Sequence, residues 1–212
     1  MAKGTRHNRL ANLLGQCLHN TLRLYFNNIQ TNTHQQAPLA PLKANLDEFF
    51  RQIKKGNKGV PLNIEGWTEP ELKHWVMGAV RQMMAFLEYE QISWFQEDFP
   101  LDMIYMDPSG RYVTSLGQPD LVAYSQRRQA YLVLDFKTAD STKNYASKSV
   151  VNGPRKRRKL LGYAFGARQK MARHHKVAMQ PIRIGYVVFI RERTPLNCTP
   201  AIHVFMEKAS IK

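Results

Sequence analysis

Residues 117–137 read GQPDLVAYSQRRQAYLVLDFK, and this stretch decides the fold of the chain. Two apolar runs, 121–124 and 131–137, lie on either side of a polar connection, 125–129. Apolar runs of this length, rich in β-branched and aromatic residues and joined by a short polar loop, predict a β-hairpin. We therefore expect two neighbouring strands of a sheet here, with the rest of the chain built around them.

Charged residues stand at one end of this predicted hairpin. Side chains alternate along a strand, so Asp135 and Lys137 should share one face while Phe136 points to the other. Asp120, at the start of the partner strand, should then lie across from Asp135. Two carboxylates and an ammonium group at the end of a sheet predict a site for a divalent cation.

The chemistry of these residues suits Mg²⁺ or Mn²⁺, which prefer oxygen ligands and keep several waters for substrate phosphates. Such an ion can polarise a phosphodiester. Asp120 and Asp135 are the predicted metal ligands, with the Phe136 carbonyl as an additional one. Lys137 is placed to orient the attacking water or to offset developing negative charge. The alternative is an ordinary strand-end ion pair, because an Asp-x-Lys triplet taken alone also arises by chance.

Pro119-Asp120 followed by Asp135-Phe136-Lys137 resembles the signature of the PD-(D/E)XK nuclease superfamily. Gly117-x-x-Asp120 followed by Asp-Phe-Lys-Thr resembles in particular the RecB-like branch, which includes lambda-type exonucleases. The resemblance covers residues 69–192. It implies an α/β fold with an αβββαβ core, in which a central mixed sheet is flanked by helices.

The RecB-like branch also carries a Gln-x-x-x-Tyr motif on the helix that follows the lysine strand. Here Tyr163 matches the tyrosine, while Lys159 stands in place of the glutamine. The resemblance implies that Tyr163 belongs to the catalytic site and that both side chains contact the substrate backbone.

A third metal ligand is expected from the same resemblance, because this branch usually adds a histidine from the helix ahead of the sheet. His74 is on that predicted helix and is the preferred candidate. A partly exposed helix histidine without a metal role is the alternative for His74. Glu88 on the same helix and Glu97 in the following strand remain open, since other members of the superfamily use a glutamate.

The whole chain has 212 residues, 43% hydrophobic residues, a formal net charge of +15 and a sequence pI near 10.0. A charge excess of this size indicates a polyanionic partner, and nucleic acid is the first candidate. No apolar run is long enough to cross a membrane, so no membrane partner is expected. The two cysteines, Cys17 and Cys198, exclude a four-cysteine iron–sulfur site within one chain. We expect a reducing compartment, the cytoplasm of a bacterium or of a phage-infected cell, with mitochondrion and nucleus left open.

The N-terminal part of the chain, residues 1–46, contains no acidic residue. Leucines at helical spacing predict a helix over 8–27, followed by a loop over 30–41 and a short helix over 46–53. We interpret residues 1–66 as a helical, basic N-terminal extension packed on a nuclease core that comprises residues 67–212.

The core begins with a strong helix start at Thr68, where Glu71 stands three residues on as in a capping box. That helix should extend to Gln91 and bury the apolar side chains Trp75, Ala79, Met83, Phe86 and Leu87. Three strands, 94–106, 111–124 and 129–138, should follow it as a meander. A helix opening at Gly153-Pro154 and two strands, 182–191 and 201–207, complete the prediction.

A long basic segment precedes and opens the helix after the Lys137 strand. No Asp or Glu occurs between Ser141 and Arg191. We predict that the following basic side chains bind substrate phosphates: Lys143, Lys148, Arg155, Lys156, Arg157, Arg158 and Lys159. The N-terminus of the helix would add partial positive charge. A solvated face or a nuclear-localisation signal is the alternative.

The sequence therefore predicts a nuclease that hydrolyses single- or double-stranded DNA with Mg²⁺ or Mn²⁺. By resemblance, we expect an exonuclease of recombination, repair or phage DNA metabolism, with a second copy of the chain (a homo-oligomer) or a recombination protein as a candidate partner. A restriction- or transposon-type endonuclease is the alternative within the enzymes. A catalytically silent nucleic-acid-binding protein on the same fold is the alternative outside them.

Overall fold

The structure is a computed structural model that describes residues 9–31, 39–56, 63–64, 66–97, 100–106, 109–139, 154–175, 180–191 and 201–209. The chain divides into two compact units. The first comprises Met1–Met84, Thr138–Ser141 and Phe189–Ile202, and the second comprises Ala85–Lys137, Thr142–Val188 and His203–Lys212. The predicted boundary at residue 66, between an N-terminal extension and a core, stays a prediction.

The first unit is mainly helical. Helix α1 spans Arg9–Thr31, α2 spans Leu39–Gly56, and α3 begins in this unit and spans Glu69–Tyr89. Both N-terminal helices are longer than predicted, and the predicted loop over 30–41 was wrong at both ends. Pro41 had suggested a loop, but it lies in the first turn of α2, where a proline interrupts no helical hydrogen bond.

The core of the first unit is built from leucines spaced four residues apart. Buried side chains on α1 pack against α2, which contributes Leu42, Leu46 and Phe50 to the same core. Within the part of the chain that the structure describes, no helix is long and apolar enough to cross a membrane.

Helix α3 begins as the capping-box pattern predicted. The Thr68 backbone N–H donates to Glu71 Oε2 at 2.7 Å, and the Thr68 hydroxyl donates to the same oxygen at 2.8 Å. Further along α3, Trp75 is fully buried and its indole N–H donates to the Ile190 carbonyl at 3.2 Å. The five apolar side chains predicted to be buried on this helix are all buried.

The strands of the described residues form three sheets. Strands β1 (Asn63–Ile64) and β2 (Trp67–Thr68) make a small antiparallel pair in the first unit. The others are β3 (Ile92–Glu97), β4 (Leu101–Met106), β5 (Tyr112–Gly117), β6 (Leu121–Ser125), β7 (Ala130–Ala139), β8 (Ile182–Ile190) and β9 (Ala201–Lys208), with helix α4 (Pro154–His175) between β7 and β8. Strands β4 and β5 pair with each other, and the central sheet has the order β3-β6-β7-β8-β9.

The central sheet is mixed. Strand β6 is antiparallel to both β3 and β7. Strands β7 and β8 start side by side, since Tyr131 N donates to the Pro181 carbonyl at 2.9 Å, so they are parallel. Strand β9 returns antiparallel, because Ala209 N donates to the Ile182 carbonyl at 2.8 Å. The α4 crossover is the connection that a parallel pair requires. The predicted α/β class with a mixed sheet is confirmed.

Two predicted strands are each broken into two. The predictions over 94–106 and 111–124 correspond to β3 with β4 and to β5 with β6. Pro100 and Pro119 lie at the breaks, and proline has no N–H to give to a ladder. The β4–β5 hairpin packs against α4, where Gly166 fits closely: a Cβ there would lie 3.2 Å from Leu101 Cβ.

Candidate active site

The β6–β7 hairpin brings Asp120 and Asp135 opposite each other. The register pairs Leu121 with Leu134, so one further step sets Asp120 across from Asp135. Asp120 Oδ2 accepts the backbone N–H of Phe136 at 2.5 Å, which ties the start of β6 to the end of β7. This is the arrangement that the hairpin pattern predicted.

Asp135 is a buried carboxylate between two ammonium groups. Its side chain is only 4% exposed. Oδ2 lies against Lys137 Nζ, and Oδ1 lies 3.1 Å from Lys159 Nζ. The Oδ2 contact is an ion pair without hydrogen-bond geometry, so each carboxylate oxygen faces one ammonium group. The two lysines supply the opposite charge that a buried carboxylate needs. A carboxylate oxygen can accept more than one partner, so both oxygens keep acceptor capacity.

Lys137 is anchored by more than this ion pair. Its ammonium group also donates to the Phe136 carbonyl at 3.0 Å and lies 5.8 Å from the centroid of the Tyr186 ring. The contact with Asp135 confirms that Lys137 and Asp135 share a face of β7, as strand alternation predicted. The ammonium group is thus held at the end of the hairpin where Asp120 and Asp135 meet, a place that we call the corner.

Lys159 and Tyr163 approach the same corner from helix α4. They stand one helical turn apart, and Lys159 Nζ lies 5.1 Å from the centroid of the Tyr163 ring. Partial burial opposes the charge of Lys159, but the attraction of Asp135 and the contact with Tyr163 outweigh it and raise the pKa of Lys159. Tyr163 is 5% exposed, so it offers little surface to a substrate and acts on the site chiefly through Lys159.

The ion pair between Lys159 and Asp135 was missed by sequence reasoning, which expected Lys159 to contact substrate only. A signal was present, because Lys159 stands where the RecB-like motif has a neutral glutamine. A charged residue in place of an amide, on a helix that follows a strand ending in Asp-Phe-Lys, indicates a carboxylate partner nearby.

The oxygen atoms at this corner fit a hard divalent cation. Two carboxylates and the Phe136 carbonyl are the donor types that Mg²⁺ and Mn²⁺ take, and Mg²⁺ commonly uses one or two carboxylates and keeps its waters. Each oxygen of Asp135 faces one ammonium group and can accept a second partner such as this ion. Among the residues that the structure describes, no three His, Cys, Asp or Glu side chains come together as a metal-binding group.

The third ligand therefore stays a prediction. His74 is exposed on α3 and belongs to the first compact unit. Glu88 is exposed near the end of the same helix. The backbone of Glu97 pairs with Leu121, one residue from Asp120, but the Glu97 side chain lies outside the described part of the chain.

Most of the predicted phosphate-binding residues are not described by the structure. Lys143 and Lys148 lie outside the described residues. The backbone of residues 155–158 forms the first turns of α4, which starts at Pro154 as predicted, but the side chains of Arg155, Lys156, Arg157 and Arg158 lie outside the described part of the chain. Of this set, Lys159 is described with its side chain.

A buried polar cluster fixes the closed end of the β6–β7 hairpin. Glu90, at the end of α3, is fully buried and is bound by Arg128 through Nε at 2.8 Å and Nη2 at 2.7 Å. The Ser125 hydroxyl donates to the same carboxylate at 2.9 Å. The hydrogen bond to Glu90 raises the pKa of Arg128. The sequence did not predict this cluster, which holds the turn in place at the far end of both strands from Asp120.

The fold and the site together define an α/β protein in which carboxylate and lysine side chains meet at one end of a central hairpin. No family model matches the chain, and no curated protein matches it. A solved structure that resembles it is the crystal structure of SSO0001, with 10% identity over 94% of this chain and 77% of that chain and a TM-score of 0.35. A likeness of this size carries no argument about fold or function.

Proposed function

We propose that this protein is a Mg²⁺- or Mn²⁺-dependent deoxyribonuclease of the PD-(D/E)XK type, with a RecB-like site. One observation carries the proposal: Asp120, Asp135 and Lys137 meet at one corner of the β6–β7 hairpin. Because a phosphodiester carries negative charge, its hydrolysis needs cations around the reacting phosphate. This corner combines acidic metal ligands with fixed ammonium groups.

Each residue has a separate task in this proposal. Asp120 and Asp135 hold the cation, together with the Phe136 carbonyl. The cation, when bound, supplies Lewis-acid polarisation of the phosphodiester. Lys137 is held by the Phe136 carbonyl and the Tyr186 ring, so its ammonium group is preorganised to orient the attacking water and to offset charge on the phosphate.

DNA is the substrate that the charge of the chain favours. The formal net charge of +15 attracts a polyanion, and the segment between Ser141 and Arg191 contributes bases without a single acid. The N-terminus of α4, where residues 155–158 lie, precedes Lys159, which reaches Asp135. Phosphates bound along this helix start would lie next to the metal corner. In keeping with the sequence resemblance, we propose an exonuclease of recombination, repair or phage DNA metabolism in a cytoplasm.

The two alternatives differ in what they require of the site. An endonuclease would use the same residues and would differ in its access to internal phosphodiesters. A silent nucleic-acid-binding protein has no use for a buried carboxylate, since Asp135 repels the phosphates that the surrounding bases attract. The burial of Asp135 beside two lysines therefore favours an enzyme.

The test is cleavage of end-labelled linear DNA, closed circular DNA and a matched RNA, each with Mg²⁺, Mn²⁺ or EDTA. We expect metal-dependent release of nucleotides from linear DNA, none in EDTA, and little loss of the circle. Cleavage of the circle at an equal rate would identify the endonuclease. DNA binding without cleavage under any metal would overturn the enzyme proposal in favour of the silent binder.

A further inference from the structure

Lys159 occupies an unusual position for a substrate-binding lysine. Its ammonium group already has a partner inside the site, Oδ1 of Asp135 at 3.1 Å. Asp135 is a metal ligand in the proposed function. Lys159 therefore neutralises a carboxylate to which the divalent cation would bind.

Among the described side chains at the corner, the charges of the two aspartates and the two lysines cancel without a metal. Asp120 and Asp135 contribute two negative charges, and Lys137 and Lys159 contribute two positive charges. A divalent cation added to this set leaves an excess of two positive charges. That excess falls if an ammonium group moves away from the ligands, and it falls further when a phosphodiester arrives.

Of the two lysines, Lys159 is the one able to move. Lys137 is bound to the Phe136 carbonyl in its own strand and lies against the Tyr186 ring of the neighbouring strand β8. The Lys159 side chain is 48% exposed, against 37% for Lys137, and rests on Tyr163. Its flexible stem can carry the ammonium group from Asp135 to a phosphate once a divalent ion takes its place at the carboxylate.

We propose that Lys159 is a built-in counter-cation that competes with the divalent ion for Asp135 and is released onto the phosphate of the incoming DNA. The inference rests on the proposed function and adds regulation to it: metal and DNA bind cooperatively. By linkage, DNA tightens metal binding by the same factor by which the metal tightens DNA binding.

The first measurement is Mn²⁺ binding to the full chain without DNA, by isothermal titration calorimetry. In Lys159→Met and Lys159→Gln, we expect Kd for Mn²⁺ to fall by about tenfold, the equivalent of roughly 1.4 kcal/mol. A larger effect is not expected, because the half-exposed ammonium group is screened by solvent. Lys170→Met is the matched control on the same helix, since its ammonium group donates to the Pro100 carbonyl and not to Asp135. Its Kd should equal that of wild type.

The second measurement repeats the titration with a phosphorothioate-linked duplex bound, to slow cleavage. In wild type, the duplex should tighten Mn²⁺ binding several-fold, and in Lys159→Met this coupling should shrink. Circular dichroism of each variant confirms that it is folded.

The outcomes separate the inference from the proposed function. If wild type binds Mn²⁺, Asp135→Asn abolishes that binding, and the Lys159 variants bind as wild type does, the counter-cation is refuted while the metal site stands. If neither wild type nor the Lys159 variants bind Mn²⁺, with or without the duplex, both proposals fail. Tighter binding in both Lys159 variants, with Lys170→Met unchanged, supports the inference.

Discussion

Replacing Asp135 with asparagine removes one charge at the corner and keeps the volume of the side chain. The side chain is 4% exposed and asparagine has nearly the same shape, so packing around it is retained. The carboxylate that Lys137 and Lys159 share becomes a neutral amide, and one of the two proposed acidic metal ligands is removed.

The expected loss of rate follows from what the cation contributes. Metal stabilisation of a transition state is worth several kcal/mol, and each 1.36 kcal/mol is a factor of ten. A loss of about 4 kcal/mol in Asp135→Asn therefore lowers the rate of cleavage by roughly a thousandfold. DNA binding should not weaken, because the summed charge of Asp120, residue 135, Lys137 and Lys159 rises from zero to +1.

The assay compares initial rates of nucleotide release from end-labelled linear DNA at saturating Mn²⁺ with DNA affinity from fluorescence anisotropy in EDTA. Asp47→Asn is the matched control, because it makes the same chemical change at an exposed ion pair with Lys73 in the first compact unit. Its rate should equal that of wild type. An Asp135→Asn rate within about threefold of wild type, with equal metal affinity, would refute the assignment of Asp135 as a ligand.

Three further predictions address the third ligand, the hairpin and the basic segment. If His74 is the third ligand, His74→Ala should raise the Mn²⁺ concentration for half-maximal cleavage and Glu88→Gln should not, whereas the opposite result would transfer the role to Glu88. Glu90→Gln should lower the free energy of unfolding by about 3 kcal/mol, because it leaves a partly buried guanidinium without its charge partner. In a chain of this size, that loss should lower Tm by roughly 6–12 °C. A Tm within about 2 °C of wild type would contradict this prediction. Neutralising the four bases at 155–158 should flatten the slope of log affinity against log salt by about 0.7–0.9 for each phosphate that is no longer bound, and an unchanged slope would exclude phosphate binding by this segment.

The sequence predicted those parts of the site that depend on residues close together in the chain. Spacing within residues 117–137 is enough to predict the hairpin and to place Asp135 and Lys137 on one face. The same spacing places Asp120 directly across from Asp135. The Thr68 capping box is decided within a single helical turn. Each of these predictions needed no knowledge of how distant elements pack.

The missed features are contacts between distant parts of the chain. Lys159 meets Asp135 across 24 residues, and Arg128 meets Glu90 across 38. Their positions depend on where α4 begins and where α3 ends relative to the hairpin, which periodicity does not specify. The two strand breaks are different, since Pro100 and Pro119 were visible in the sequence and their missing N–H groups gave a physical reason to end a ladder there.

Among the described residues of the second unit, the buried carboxylates Glu90 and Asp135 differ in a way that bears on function. Glu90 has a complete set of partners, with a two-point contact from Arg128 and the Ser125 hydroxyl, as expected of a cluster that fixes structure. Asp135 is instead held by two separate lysines, one at each oxygen, whose side chains are 37% and 48% exposed.

A buried ion pair is weak evidence for stability, because apolar side chains of the same volume often stabilise a fold as well or better. The end of β7 could therefore have carried apolar residues at positions 135 and 137 without loss of the hairpin. A buried carboxylate that is held by two part-exposed lysines with flexible stems is suited to exchange partners. That property is what a site requires if a metal ion and a phosphate are to enter in turn, and it separates the Asp135 corner from the structural cluster at Glu90.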